Sequence, residues 1–194
     1  KIQRACEVTD ECFKYLQTYI KPGMTEKQIA EEIDNYYKHH ADGVSFETIV
    51  ASGENSSKPH AVPTDRKIQE EDIITIDMGC KIDGYCSDMT RTIFVGSVPE
   101  YVKPVYDLVL KKQQQVLEEM KDGESTRFLT TMVENDFKLE GYDLIHALGH
   151  GVGMEIHEAP YISHRFDVPL KENMIVTNEP GIYIPGRFGV RIED

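Results

Sequence analysis

Two aspartates, Asp77 and Asp88, stand eleven residues apart in the stretch Ile73–Val95, IITIDMGCKIDGYCSDMTRTIFV. The run Ile73-Ile74-Thr75-Ile76 ahead of Asp77 is apolar and β-branched, the composition of a strand buried on at least one face. Asp83-Gly84 supplies a hairpin turn, and Tyr85 to Val95 reads as the return strand carrying Asp88. A carboxylate in a buried strand is costly unless it is paired or holds a cation. Two of them on one hairpin also repel each other, so a metal ion between them is the simplest resolution. The plainer reading, surface acids beside a turn, suits Asp83 and competes at Asp77.

A second pair of carboxylates emerges from an internal repeat. Lys21-Pro22-Gly23-Met24-Thr25, a helix and Gly43 are matched by Lys121-Asp122-Gly123-Glu124-Ser125, a helix and Gly141, at offsets of 100 and 98 residues. Each copy follows a long helix and precedes a carboxylate-bearing strand pair, so Asp77 answers to Glu179 (offset 102) and Asp88 to Glu193 (offset 105). Such a period is too long for a solenoid. It implies two α+β halves, residues 1–95 and 99–194, related by a pseudo-twofold axis. Their antiparallel sheets would meet at a central cleft, with helices flanking. Coincidence is the competing reading, since helix, turn, helix, sheet is a common order.

The third piece is the run from His146 to Pro160, HALGHGVGMEIHEAP. Gly149, Gly151 and Gly153 surround His150 and allow the close backbone approach that an imidazole in a crowded site needs. His146, His150 and His157 lack HExxH spacing, which excludes a thermolysin-like zinc helix. A histidine beside glycines is more often structural when found alone, but four carboxylates accompany this one. Asp77, Asp88, His150, Glu179 and Glu193 form an oxygen-dominated set that suits manganese, and the single nitrogen keeps cobalt, zinc and iron open. Four acidic ligands balance two divalent cations better than one. Two metals close together can share a bridging hydroxide and hold a carbonyl oxygen. That is hydrolytic chemistry.

The elements that must position these groups follow from periodicity. Helical spacing predicts a first helix over Ile2–Ile20, stopped by Lys21-Pro22-Gly23. Thr25 with Gln28 makes a capping box for a second, ending near His39-His40, where solvated histidines suit the negative end of the helix dipole. Glu47–Ser52 reads as a short strand and Gly53–Arg66 as a polar loop stiffened by prolines around His60. Pro99–Met120 reads as a long helix with Leu117 among its inward residues, followed by a helix from Ser125 to about Leu139.

The whole chain has 194 residues, 40% hydrophobic, enough for one large domain or two small ones. No apolar run reaches the length of a membrane helix. A net charge of −13 disfavours nucleic acid and suits a site that attracts cations. Cys6, Cys12, Cys80 and Cys86 lack zinc-knuckle spacing and read as thiols of a reducing cytoplasm. Starting without Met and stopping at Arg-Ile-Glu-Asp, the chain reads as a fragment.

IDMGCKIDGYCSDMTRT, HALGHGVGMEIHEAP, TNEPGIY and RIED together resemble the pita-bread metallopeptidases, in the Xaa-Pro aminopeptidase and prolidase branch. The similarity runs from the first helix to Glu193, and YCSDMTRT and GHGVGMEIHE lean away from the methionine aminopeptidases. Ala147 departs from the branch's usual Gly, Ser, Tyr or Arg and touches no expected ligand. The resemblance implies a cytoplasmic catalytic domain, homodimeric in its full-length parent, whose N-terminal domain is absent here. It implies two divalent metals, manganese first. Asp77 would bind one metal, His150 and Glu179 the other, with Asp88 and Glu193 bridging. Glu179 would also carry the proton of the attacking water. His60 and His157 match positions that contact substrate and stabilise the tetrahedral intermediate. His146 matches a histidine near the proline end, and Arg191 reads as a group orienting the carboxylates; a purely structural role competes for both. The implied substrate is a peptide with an Xaa-Pro N-terminus. Competing readings on the same fold are a methionine aminopeptidase, a metal-free creatine amidinohydrolase and a non-enzymatic binding module; the last two usually lack the acidic set.

Overall fold

A computed structural model describes residues 1–194. Helix α1 (Ile2–Tyr19) turns Ala5, Val8, Cys12 and Leu16 inward. Helix α2 (Glu26–His40) opens on the expected capping box: the Thr25 hydroxyl accepts from the Gln28 N–H at 3.1 Å, and the Gln28 side chain accepts from the Thr25 N–H at 2.9 Å. Strand β1 (Ile49–Ser52) leads into a 3-10 turn over Gly53–Ser57, then come β2 (Ile73–Met78), β3 (Lys81–Ile82), β4 (Tyr85–Cys86) and β5 (Met89–Phe94). Strands β1, β2 and β5 form one antiparallel sheet in which Ile49, Asp77 and Thr90 are level. Helices α3 (Lys103–Glu119) and α4 (Thr126–Leu139) follow, then β6 (Gly149–Gly151), β7 (Glu158–Ile162), β8 (Gly181–Ile184) and β9 (Phe188–Arg191). No helix is long and apolar enough to cross a membrane.

Residues 21–40 and 121–140 carry the same order of buried, half-buried and exposed positions, one for one. Gly23 donates to the Ile68 carbonyl and Gly123 to that of Leu170, both at 2.8 Å. Two hydrophobic clusters result. One gathers α1, α2, β1 and β2 around Ile29, Ile33 and Tyr37; the other gathers α3, α4 and the later strands around Leu129, Val133 and Phe137. We read these as two copies of one α+β unit. Their sheets meet where β9 and its continuation run beside β5: the Glu193 N–H donates to the Thr90 carbonyl at 3.1 Å, and the Thr92 hydroxyl donates to the Arg191 carbonyl at 2.8 Å.

Four local expectations are corrected. Asp88 does not lie in a strand, because the β2–β5 ladder ends at Met78–Met89 and β3–β4 pair separately. The return strand breaks at Ser87, whose hydroxyl meets Thr9 Oγ1 at 2.7 Å and accepts from the Cys80 N–H at 2.9 Å, while its carbonyl accepts from Ser45 Oγ at 2.8 Å. The Ser87 N–H still bonds the Cys80 carbonyl at 2.9 Å, so the pairing is interrupted at Asp88 rather than lost on both sides of it. Leu117 is 58% exposed, whereas Lys112 and Gln113 are buried on the inner side of α3, Lys112 paired with Asp136. A buried ion pair took positions that an apolar stripe would have filled. Residues 99–102 form a turn ahead of α3, and the first strand starts at Ile49 rather than Glu47.

Candidate metal centre

All nine residues singled out in the sequence line one cavity of about 330 Å³: His60, Asp77, Asp88, His146, His150, His157, Glu179, Arg191 and Glu193. Asp77 comes from β2, and Asp88 from the break just before β5. His150 lies in β6, Glu179 before β8, and Glu193 after β9. The His150 and Glu179 segments are held together by backbone. Thr177 donates to the His150 carbonyl at 2.7 Å and Glu179 to that of Leu148 at 2.8 Å. This pairing requires the glycines around His150, since a Cβ on Gly149 would collide with the Thr177 carbonyl.

The donor atoms of Asp88, His150 and Glu193 lie within 4.8 Å of one another. His150 Nδ1 donates to the Gly151 carbonyl at 3.0 Å, so Nε2 faces Asp88 Oδ2 at 3.5 Å and Glu179 Oε1 at 3.4 Å. Those separations are longer than ordinary N–H···O bonds. A second ring nitrogen fixed by a backbone carbonyl is how a metal-binding imidazole is normally oriented. Asp77 Oδ2 accepts from Arg191 Nη2 at 2.7 Å, while Asp77 Oδ1 is buried with no partner. An orphaned carboxylate oxygen is expensive inside a protein unless a cation completes it.

Electrostatics point the same way. Burial raises the pKa of Asp88 well above the usual range, and the charges of Asp77 and Glu179 raise it further. Glu193 is raised in the same way by burial, Asp88 and Asp77. Burial and Glu193 push Glu179 up to about 8. Arg191 opposes the shift at each of the three, one positive charge against four acids. The donor set therefore fits divalent cations.

A stability prediction follows. A carboxyl whose folded pKa is raised binds more protons folded than unfolded, so its contribution is fully present below the unfolded value and is lost as pH rises through the folded one. For Glu179 that window runs from 4.5 to about 8. The metal-free protein should lose stability across it, and added Mn2+ should raise the melting temperature more at about pH 8 than at about pH 5.5. Equal gains at both pH values would contradict the fit.

Behind the acids, Arg191 is 4% exposed and fully engaged. Nε donates to Thr90 Oγ1 at 3.1 Å, and Nη1 donates to the Pro59 carbonyl at 3.1 Å and to the Tyr183 hydroxyl at 2.6 Å. Tyr183 donates in turn to His146 Nε2 at 3.0 Å, and His146 Nδ1 donates to the Ala147 carbonyl at 2.7 Å. Burial and the charge of Arg191 lower His146 to a pKa of about 4, so it is neutral at physiological pH. Tyr183 and Thr90 are members of this network that the sequence alone does not single out; Gly181 makes room for the first, since a Cβ there would sit 2.6 Å from the Tyr183 hydroxyl. His157 is exposed, its ring 4.4 Å from that of His150 and edge-on to it; burial and His150 lower its pKa. His60 is also exposed, next to the Pro59 carbonyl that Arg191 holds.

Residues 1–194 match the family described as Metallopeptidase family M24. An Xaa-Pro dipeptidase from Pyrococcus furiosus is 42% identical over 196 residues, covering 100% of this chain and 56% of that protein. Among solved structures, an X-Pro aminopeptidase from Thermotoga maritima superposes with a TM-score of 0.96 at 41% identity, over 100% of this chain and 56% of that one. An Xaa-Pro dipeptidase from Bacillus anthracis gives 0.96 at 40% identity, with 100% and 55% covered. The chain spans about half the length of the curated relatives it matches.

Proposed function

The chain belongs to metallopeptidase family M24 and has the pita-bread fold, and from that premise we propose that it is the catalytic domain of an exopeptidase hydrolysing the Xaa-Pro bond. The observation that carries this reading is the convergence of Asp77, Asp88, His150, Glu179 and Glu193 on one cavity. Asp77 would hold one cation, His150 and Glu179 the other, with Asp88 and Glu193 shared. When bound, the two cations supply a hydroxide nucleophile at neutral pH and Lewis acidity toward the scissile carbonyl. Manganese suits the oxygen-rich set, and cobalt, zinc and iron are admitted by the imidazole.

The remaining work falls to side chains of this chain. Glu179, buried beside Glu193 at the cavity, takes the proton of the attacking water and delivers it to the departing proline nitrogen. His157, its pKa lowered by partial desolvation and by His150, donates an N–H to the developing oxyanion. His60 contacts the substrate from its loop. Neutral His146, locked by Ala147 and Tyr183, borders the proline end. Phe46, Ile49 and Ile156 give the cavity apolar wall for a pyrrolidine ring.

Four free thiols suit a reducing cytoplasm, and we take the full-length parent to be a homodimer. The test is turnover by the manganese-loaded protein of Xaa-Pro dipeptides, Xaa-Pro-Xaa tripeptides and Met-Ala peptides. Xaa-Pro substrates should be favoured over Met-Ala by at least about a hundredfold in kcat/KM. Preference for Met-Ala would overturn the assignment, and the dipeptide-to-tripeptide ratio separates dipeptidase from aminopeptidase.

A further inference from the structure

Glu26 is a fully buried carboxylate that takes no part in the chemistry above. It stands at the first turn of α2, away from the metal ligands in sequence, yet it clamps both ends of the segment carrying His60. Oε1 accepts from the Ser52 N–H and hydroxyl, both at 2.7 Å. Oε2 accepts from the Thr64 N–H at 2.9 Å and the Thr64 hydroxyl at 2.6 Å. Asn55 Nδ2 bridges the two oxygens at 3.1 and 3.2 Å. Arg66 adds a bond to Ser52 Oγ at 2.7 Å and is anchored on Asp72 at 2.6 and 2.9 Å. The middle of the segment is tied elsewhere: Gly189 donates to Ser56 Oγ at 2.9 Å, and Arg191 donates to the Pro59 carbonyl at 3.1 Å.

The second half of the molecule shows that the fold itself does not need a carboxylate at this point. Thr126 lies 100 residues after Glu26, is equally buried, and opens α4. Its backbone N–H bonds the Val168 carbonyl at 3.0 Å, as that of Glu26 bonds Arg66 at 3.1 Å. The Thr126 side chain makes only two bonds, from the Val168 N–H at 3.1 Å and to the Phe166 carbonyl at 3.4 Å. A threonine suffices to dock the helix there. The extra donors gathered by Glu26 all belong to residues 52–64, the segment that carries His60 to the cavity.

We propose that Glu26 is a positioning residue that holds the Ser52–Thr64 segment so that His60 faces the substrate. The proposal rests on the peptidase reading for the role of His60 but not for the restraint itself. Two measurements separate the parts. In the manganese-loaded protein, Glu26→Thr should keep the fold and metal content and lower kcat/KM on an Xaa-Pro peptide about 10–100-fold. Combined with His60→Ala, it should add less than about a twofold further loss, because both act through one group. Glu26→Gln, which keeps one acceptor oxygen, should fall between. Amide hydrogen exchange across residues 53–66 should speed up in Glu26→Thr, while β2 and β5 stay protected. Multiplicative losses in the double variant, or unchanged exchange over 53–66, would overturn the proposal. Absence of Xaa-Pro turnover in the unsubstituted protein would overturn the peptidase reading instead, with exchange still deciding whether Glu26 restrains the loop.

Discussion

Glu193→Gln is expected to abolish metal-dependent hydrolysis, a fall of at least about a thousandfold in kcat. The substitution is nearly isosteric at a position 2% exposed, and an amide oxygen can still accept from the Thr90 hydroxyl now 2.6 Å from Glu193 Oε2. Packing therefore survives and the charge does not. That charge sits among Asp88, Asp77 and Glu179, where burial and the neighbouring acids raise its pKa strongly. Removing it relieves repulsion in the metal-free protein, so the variant should melt no lower than the unsubstituted chain without metal. It should also lose most of the Mn2+-induced rise in melting temperature. Unchanged turnover would rule out the proposed site, and an unchanged Mn2+ response would rule out Glu193 as a ligand.

Arg191→Met carries the largest expected cost in stability, about 3–5 kcal/mol in urea denaturation. Burial works against the charge of Arg191, but Tyr183, Asp77 and Glu193 hold its pKa well above the usual value. Methionine fills similar volume and leaves the Asp77 carboxylate, the Tyr183 hydroxyl and the Pro59 carbonyl without their common donor. Arg191→Lys should recover only part of the loss, because an ammonium cannot reproduce a planar fork spanning Thr90, Tyr183 and Asp77. A loss within about 1 kcal/mol for the methionine variant would show that the buried ion pair is not what holds the two halves together.

Much of this was legible from one dimension. The helices announced themselves through spacing and caps, and Thr25 with Gln28 is bonded as the pattern required. Asp77 and His150 stand out because a carboxylate in an apolar strand and an imidazole among glycines are costly patterns that local structure does not explain; the internal repeat points to Glu179 and Glu193, and only the family resemblance points to His60, His146 and His157. The limits were equally physical. Alternation in the sequence continues through Asp88, whereas the ladder stops beside Ser87, whose hydroxyl bonds Thr9 and the Cys80 N–H. Apolarity alone turns Leu117 inward, whereas Lys112 and Asp136 satisfy each other across α3 and α4 and Leu117 faces out. Tyr183 and Glu26 carry no local signal because their importance lies in partners far along the chain. No periodicity encodes a bond from Thr64 to Glu26 or from Arg191 to Tyr183.

We propose that five side chains from both halves cage the cations used for peptide hydrolysis. The decisive measurement is to strip the protein with a chelator and titrate Mn2+ back, following bound metal and Xaa-Pro hydrolysis in the same samples. Stripped protein should show no hydrolysis, and activity should return with occupancy, reaching its plateau at two ions per chain. Hydrolysis that survives stripping, or a chain that takes up no divalent cation, would contradict the proposal.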